Sequence, residues 1–316
     1  MSASTSPTTN GASSVEQRPS RRRFLRNAAL GAGGVATGAV LGPAALAWRG
    51  PSDAEIRSQE LKGNAFHADL GMWPIIWSVP VSTNAVTLTF DDGPDPDYTP
   101  KILEILARND VLATFNMMGW NCVQHPEIVR AVVDAGHELG NHSWSHLDLA
   151  TVDAPTALSE MRQGRDAIER ISGQTVHFFR PPRGALSGAA IRYAAEEQLS
   201  ILMWTINGAP RGVKPPKAIV DHLVNGVHPG YIVGLHDGIG RGTFRPNAGF
   251  AQELTARRTA ELAALPAAID GLLARDLRFV TAGGLLAEPR HADAPGPMAR
   301  HDGSDEADPE ADLTEQ

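Results

Sequence analysis

Between residues 84 and 286, short apolar runs alternate with amphipathic stretches. The runs at 85–90, 113–117, 138–141, 177–180, 200–204, 231–235 and 278–280 are bounded by turn-forming or polar residues, and their length and composition predict strands. The intervals between them predict helices. Thr99-Pro100 predicts a helix start, a capping hydroxyl followed by proline at the first helical position, with Ile102, Leu103, Ile105 and Leu106 on one face. A second helix is predicted after His125-Pro126, with Ile128, Val129, Val132 and Val133 turned inward and Gly136 ending it. Strand–helix alternation of this kind predicts an α/β domain, and seven such units predict a distorted (β/α)7-type barrel, short of the eight-stranded form. No internal repeat interrupts the series.

The flanks follow other patterns. Residues 1–47 begin polar, pass through Ser20-Arg21-Arg22-Arg23-Phe24-Leu25-Arg26 and continue as a Gly/Ala-rich apolar stretch to Ala45-Leu46-Ala47. Paired arginines, a weakly hydrophobic stretch and a small-residue cleavage site predict a twin-arginine signal peptide. The translocase of that pathway is then a transient partner, and the mature protein is expected outside the cytoplasm, in the cell wall, the periplasm or the medium. A retained membrane anchor is the other reading of the apolar stretch, but so much Gly and Ala makes a poor lipid-facing helix, and no stable span is expected after cleavage. Residues 48–83 form a lead-in whose Trp73, Ile75, Ile76 and Trp77 predict an apolar strip laid on the domain at 84–286. Residues 287–316 hold Pro, Gly and acids with little to bury, which predicts an acidic disordered tail.

Composition narrows the function classes. Hydrophobic residues make up 42% of the 316, enough for a sizeable core. The net charge of −8 is unevenly spread: 1–47 carry five arginines and one acid, whereas 287–316 carry nine acids and two arginines. The intervening domain is mildly acidic, a poor surface for nucleic acid. Cys122 is the only cysteine, so an intramolecular disulfide and a thiolate metal cluster are both excluded, and any metal must rely on histidine and carboxylate ligands. With no base near it in sequence, Cys122 itself reads as a small, half-buried residue.

In barrels of this kind the chemistry sits where strands end and loops begin. Asp91-Asp92 follow the first predicted strand, His142 and His146 the third, and Arg180 ends the fourth; Asn207 follows the fifth and His236-Asp237 the sixth. Adjacent carboxylates at a strand end point in different directions and can take different tasks. His142 and His146 stand four apart, and on one helical turn both imidazoles would face the same way, which is zinc-ligand spacing. Two histidines and one aspartate leave coordination positions for water and substrate, the mark of a catalytic metal.

Thr89-Phe90-Asp91-Asp92-Gly93-Pro94, His142-Ser143-x-x-His146, Arg180-Pro181-Pro182 and Leu235-His236, in that order, resemble the motifs of the polysaccharide deacetylases, the NodB-homology carbohydrate esterases. The resemblance runs from about residue 84 to 285. It implies a distorted barrel and metal-dependent removal of N-acetyl groups from amino-sugar polymers such as peptidoglycan or a chitin-like glycan. It implies that Asp92, His142 and His146 hold one divalent metal, zinc by preference, that Asp91 is the general base, and that Arg180 fixes Asp91. It further implies that the backbone N–H near Arg183 helps to receive the oxyanion and that His236 protonates the leaving amine.

Three positions depart from the family's usual pattern. Arg183 stands where an aromatic residue is common. In Trp204-Thr205-Ile206-Asn207-Gly208-Ala209-Pro210-Arg211 the aspartates and second tryptophan of a common Trp-x-x-Asp-x-x-Asp-Trp segment are replaced, leaving Asn207 to orient His236 without charge. Gly234 stands where leucine is common, so a wider, more polar acyl pocket is expected between Gly234, Leu235 and Arg211. The departures leave two further readings open: a weakly active or inactive glycan-binding relative, and a hydrolase of the same fold acting on a different acyl or imide group. Trp144 and Trp120 offer faces for a sugar ring but read more simply as packing. Gly238, Gly240 and Gly242 read as a flexible loop, since no helix is predicted directly after them.

Overall fold

The computed structural model describes residues 74–208, 212–240 and 249–291. The expected signal peptide, Trp73, Arg211, Gly242 and most of the expected tail lie outside the described residues.

The order of elements is β1 (Ile75–Ile76), β2 (Ala85–Asp91), α1 (Thr99–Arg108), β3 (Ala113–Met117), α2 (Gly119–Gln124), α3 (Pro126–Asp134), β4 (Glu138–Asn141), α4 (Ala154–Ser172), β5 (Phe178–Phe179), α5 (Gly188–Glu196), β6 (Ser200–Leu202), β7 (Ile206–Asn207), α6 (Pro216–Gly226), β8 (Ile232–His236), α7 (Gly249–Leu273), β9 (Arg278–Phe279) and α8 (Ala282–Ala287). These nine strands pair in parallel, in the order β1-β6-β5-β4-β3-β2-β8-β7, with β9 against β2. The single stretch 200–207 pairs with β5 at its start and with β8 at its end, which curls the sheet into a distorted barrel.

Strand alternation sets what each face sees. In β2, Val86, Leu88 and Phe90 join Phe115, Met117, Val233 and Leu235 in a core shared with the helices. The alternate residues Thr87, Thr89 and Asp91 are buried on the other face, inside the barrel, as are Thr114 and Asn116 of β3. Asp91 lies in register with Asn116 on one side and His236 on the other, so the carboxyl ends of β2, β3 and β8 come level. That end carries the polar cluster described below.

Several sequence expectations are corrected by the fold. The run at 177–180 pairs only over Phe178–Phe179, and the run at 200–204 stops at Leu202. β1 and β7 are two residues each, too short for any period to reveal them. Tyr98, not Thr99, occupies the N-cap of α1. The Thr99 hydroxyl instead accepts the Asp95 N–H at 2.8 Å and donates to Asp237 Oδ2 at 2.7 Å. The segment Glu288–His291, placed by sequence in the tail, is bonded to the domain: the Ser82 N–H donates to Pro289 O, and Arg278 donates to Glu288 Oε1 at 2.6 Å. Cys122 is fully buried, and burial pushes its thiol well above the ordinary range, which leaves it inert.

Candidate metal-binding active site

Asp92, His142 and His146 bring one carboxylate oxygen and two imidazole nitrogens within 4.8 Å of one another. Asp92 Oδ1 lies 3.5 Å from His142 Nε2 and 3.3 Å from His146 Nε2. His142 Nδ1 stands 2.9 Å from the Arg180 carbonyl, so it donates there and leaves the Nε2 lone pair facing Asp92. Among the described residues no hydrogen-bond donor reaches the buried Asp92 Oδ1, an orphaned acceptor that a cation would satisfy. Asp92 Oδ2 is engaged by Arg258 Nη2 at 3.0 Å. Burial works against the Asp92 charge, yet the imidazoles of His146 and His142 and the Arg258 guanidinium beside it hold the carboxyl well below the usual carboxylate range. Burial lowers the His146 imidazole to about 4, so it is neutral and able to ligate near pH 7.

The two histidines do not share a helical turn. They lie on the loop after β4, where Ser143 and His146 adopt φ of 68° and 59°. Local hydrogen bonds hold this uncommon geometry: the Ser143 N–H donates to Asn141 Oδ1, the His146 N–H to Ser143 Oγ, and the Ser145 N–H and hydroxyl to Glu160 of α4. Gly164 of α4 lets that helix approach, since a Cβ there would stand 2.6 Å from the Ser143 carbonyl carbon and oxygen. Asp92, at φ 78°, and Arg183, at φ 58°, are left-handed too, so four non-glycine residues in that uncommon region gather around the site.

Asp91 is seated from inside the barrel. Its Oδ1 accepts Asn116 Nδ2 at 2.7 Å and Arg180 Nη1 at 2.8 Å. Arg180 is fully buried and donates also to Thr89 Oγ1, Leu202 O and Met203 O, each at 2.7 or 2.8 Å, while its guanidinium carbon lies 5.7 Å from the Trp204 ring centre. Burial alone would raise the Asp91 carboxyl; Arg180, His142 and His236 outweigh it and leave it below its ordinary value. Asp91 is therefore ionised at neutral pH.

His236 has a partner that the sequence did not reveal. Its backbone N–H donates to Glu261 Oε2 at 3.1 Å, and its Nδ1 stands 3.2 Å from the same oxygen. Arg258, one turn earlier on α7, bonds Gly238 O and Asp92 Oδ2 and approaches Glu261 Oε1 at 3.5 Å. The expectation that Asn207 alone orients His236 is thereby replaced: a carboxylate 25 residues downstream does so. A signal was present in the sequence. Arg258 and Glu261 interrupt a stripe of Ala251, Leu254, Leu265, Ala268 and Leu272 at helical spacing, where inward positions should be apolar. Asn116, a polar residue within a fully buried strand, was legible by the same logic.

The expected acyl pocket is corrected as well. Leu235 packs outward in the core behind the sheet, because it alternates with His236. The space beside Gly234 is closed by Trp204, whose ring would meet an added Cβ at 3.1 Å. Asn207 is half-buried in β7, with its carbonyl 3.0 Å from His222 Nε2. Arg183 reaches Asp148 Oδ2 at 3.7 Å. Trp144 meets Trp120 edge-on at 5.8 Å, and both remain partly exposed. Gly238 is required by close approach, since a Cβ would lie 2.6 Å from Asp92 O.

Asp237 points away from this cluster, accepting Gly93 N–H at 3.0 Å and the Thr99 hydroxyl. Burial, with Asp92, Asp95 and Asp91 nearby, raises its carboxyl to about 8. The folded chain thus keeps a proton that the unfolded chain releases near pH 4, so this group's contribution to stability falls as pH rises toward 8. Asp237→Asn, which never titrates, is expected to gain melting temperature relative to wild type progressively between pH 5 and 8 in chelated protein. A constant difference across that range would mean that Asp237 is ionised in the folded state.

Comparison with known proteins places the fold in a class. The polysaccharide deacetylase family model matches residues 78–201, which include Asp91, Asp92, His142, His146 and Arg180. The chain is 34% identical to a peptidoglycan-N-acetylglucosamine deacetylase of Bacillus cereus, over 52% of this chain and 78% of that one. In structure it resembles a peptidoglycan N-acetylglucosamine deacetylase solved with a naphthyl N-hydroxybenzamide (TM-score 0.59, 27% identity, 69% of this chain and 95% of that one). It also resembles a CE4 family pseudoenzyme from Bacillus anthracis (TM-score 0.58, 26% identity, 71% and 72%). The chain belongs to the polysaccharide deacetylase family, carbohydrate esterase family 4 with the NodB-homology fold, and is a hydrolase acting on carbon–nitrogen bonds.

Proposed function

We propose that this protein is an exported, metal-dependent deacetylase that removes N-acetyl groups from an amino-sugar polymer of the cell wall, peptidoglycan or a chitin-like glycan. The observation that carries the reading is the pairing of an orphaned Asp92 Oδ1, facing two imidazole Nε2 atoms, with an ionised Asp91 fixed by Arg180. Asp92, His142 and His146 would hold one divalent ion, with zinc suited to two imidazoles and one carboxylate. When bound, such an ion lowers the pKa of water and polarises the acetamide carbonyl. Asp91 takes the proton of the attacking water on Oδ2, since its described hydrogen bonds fall on Oδ1. The backbone N–H of Arg183, turned by its left-handed φ of 58°, offers a donor to the developing oxyanion. His236 gives a proton to the departing amine. The half-exposed Trp144 and Trp120 supply an apolar wall for a sugar ring.

Export rests on the twin-arginine pattern at Arg21-Arg22, and among the described residues no helix is long and apolar enough to cross a membrane. The test is acetate release by the full chain from N-acetylated chitooligosaccharide and from peptidoglycan, with and without chelator, together with metal content and the same assay on cell fractions. Chelator-sensitive release, restored by zinc and located outside the cytoplasm, is expected. Bound metal with no release from either polymer would favour a glycan-binding relative or a different acyl group.

A further inference from the structure

We propose that Glu261, on helix α7, is a positioning residue for the proton donor: it holds the His236 ring through Nδ1 so that Nε2 faces the leaving amine. The inference rests on the deacetylase reading above and adds a residue outside the span matched by the family model.

Its basis is geometric. A single carboxylate oxygen, Glu261 Oε2, is met twice by the same residue, at 3.1 Å by the His236 backbone N–H and at 3.2 Å by Nδ1. Two contacts from one acceptor fix both the backbone at the end of β8 and the rotation of the imidazole. With Nδ1 committed to a carboxylate, Nδ1 carries a proton and Nε2 is the nitrogen left for substrate. The other oxygen, Oε1, faces Arg258, whose remaining nitrogens hold Gly238 O and Asp92 Oδ2. One turn of α7 therefore grips both the proton donor and a metal ligand and sets their separation.

Packing does not explain Glu261. The buried positions of α7 are otherwise apolar apart from Arg258, and a buried carboxylate among them is unfavourable unless it is fully paired. A leucine would fill the same space; what the carboxylate adds is an acceptor for Nδ1. Burial pushes its carboxyl up, but His236, Arg258 and Arg257 hold it below the ordinary range, so it is ionised at neutral pH. In the step itself the C–N bond breaks and its electron pair passes to nitrogen. The Nε2 proton of the imidazolium moves to that nitrogen, and the Nδ1 proton stays on the ring, bonded to Glu261. Glu261 takes no proton.

Glu261→Gln in the full, metal-loaded chain is expected to lower kcat on N-acetylated chitooligosaccharide by about 10- to 100-fold, with KM and metal content unchanged. In a His236→Ala background the same change should cost little further turnover, because the effect of Glu261 on the proton transfer passes through that ring. Hydrolysis of an activated aryl acetate, whose phenolate leaves without a proton, should be preserved. Losses that multiply with His236→Ala, or that fall equally on amide and ester, would overturn the proposal in favour of a structural role. Should Glu261→Gln fail to fold, Glu261→Asp, one methylene short of Nδ1, serves the same cycle. Imidazole nitrogen NMR of His236 gives an answer independent of turnover: Nδ1 protonated in neutral wild-type imidazole, and that preference lost in Glu261→Leu, which has no acceptor to offer. An Nε2-protonated wild-type ring would overturn it. Absence of acetate release by metal-loaded wild type would instead sink the deacetylase reading and leave the ring assignment standing.

Discussion

Asp91→Ala is expected to abolish acetate release, a loss of about 10²- to 10⁴-fold or more in kcat, while Asp92, His142 and His146 keep the capacity to bind the metal proposed for them. Among the described residues the side chain accepts hydrogen bonds from Asn116 and Arg180, and neither is a candidate ligand. Removing it therefore leaves Asp92, His142 and His146 as they stand. What disappears is an ionised oxygen at the end of β2 beside the position where water would be bound. Asp91→Asn, which keeps the shape but has no basic oxygen comparable to a carboxylate, should be nearly as impaired. Metal analysis alongside the assay decides the matter: loss of metal together with turnover would assign Asp91 to the metal site, and retained turnover would show that another group is the base.

Arg180→Met is expected to destabilise the fold by about 3–5 kcal/mol and to shift the acid limb of kcat/KM to higher pH. The guanidinium is fully buried and pairs with Asp91, the Thr89 hydroxyl and two carbonyls of the β6 region. Methionine approximates its volume but leaves a buried carboxylate without a counter-charge and two carbonyls without donors. The sign of the pH effect follows from the opposing causes at Asp91. Burial raises its carboxyl and Arg180 is the largest effect lowering it, so without Arg180 the base is protonated, and activity lost, at a higher pH as pH falls. Stability conferred by the ionised Asp91 is present above the unfolded carboxylate range and is lost as pH falls through its depressed folded value. Urea unfolding and pH–rate profiles check both parts. A loss below about 1 kcal/mol with an unmoved acid limb would mean that water replaces the guanidinium.

The residues that meet near the barrel mouth differ in how far the linear chain exposes them. Asp91, Asp92, His142, His146, Arg180 and His236 each sit at or just beyond a strand end, and their chemical type alone marks them. Glu261 and Arg258 were harder to read, because they lie mid-helix in a stretch where charged residues are usually solvated. Only burial of that helix against β8 turns them inward. The segment 142–146 is a loop rather than the helical turn on which a spacing of four would also align two imidazoles, because that spacing suits both a helix and a loop. What decides between them is Gly164 on α4, which packs against the loop backbone and belongs to a different element.

By itself the sequence determined the strand–helix alternation, the parallel barrel class, and the histidine and carboxylate chemistry, because periodicity and residue type are local properties of the chain. Tertiary structure alone decided how the barrel closes through 200–207 and that Trp204 stands over Gly234. It also decided that Leu235 turns away from the site and that a helix 25 residues downstream supports His236. The physical reason is one of range. Two-residue strands and single carboxylate contacts carry no pattern along the chain, and they are selected only when distant segments compete to fill the same buried volume and satisfy the same polar atoms.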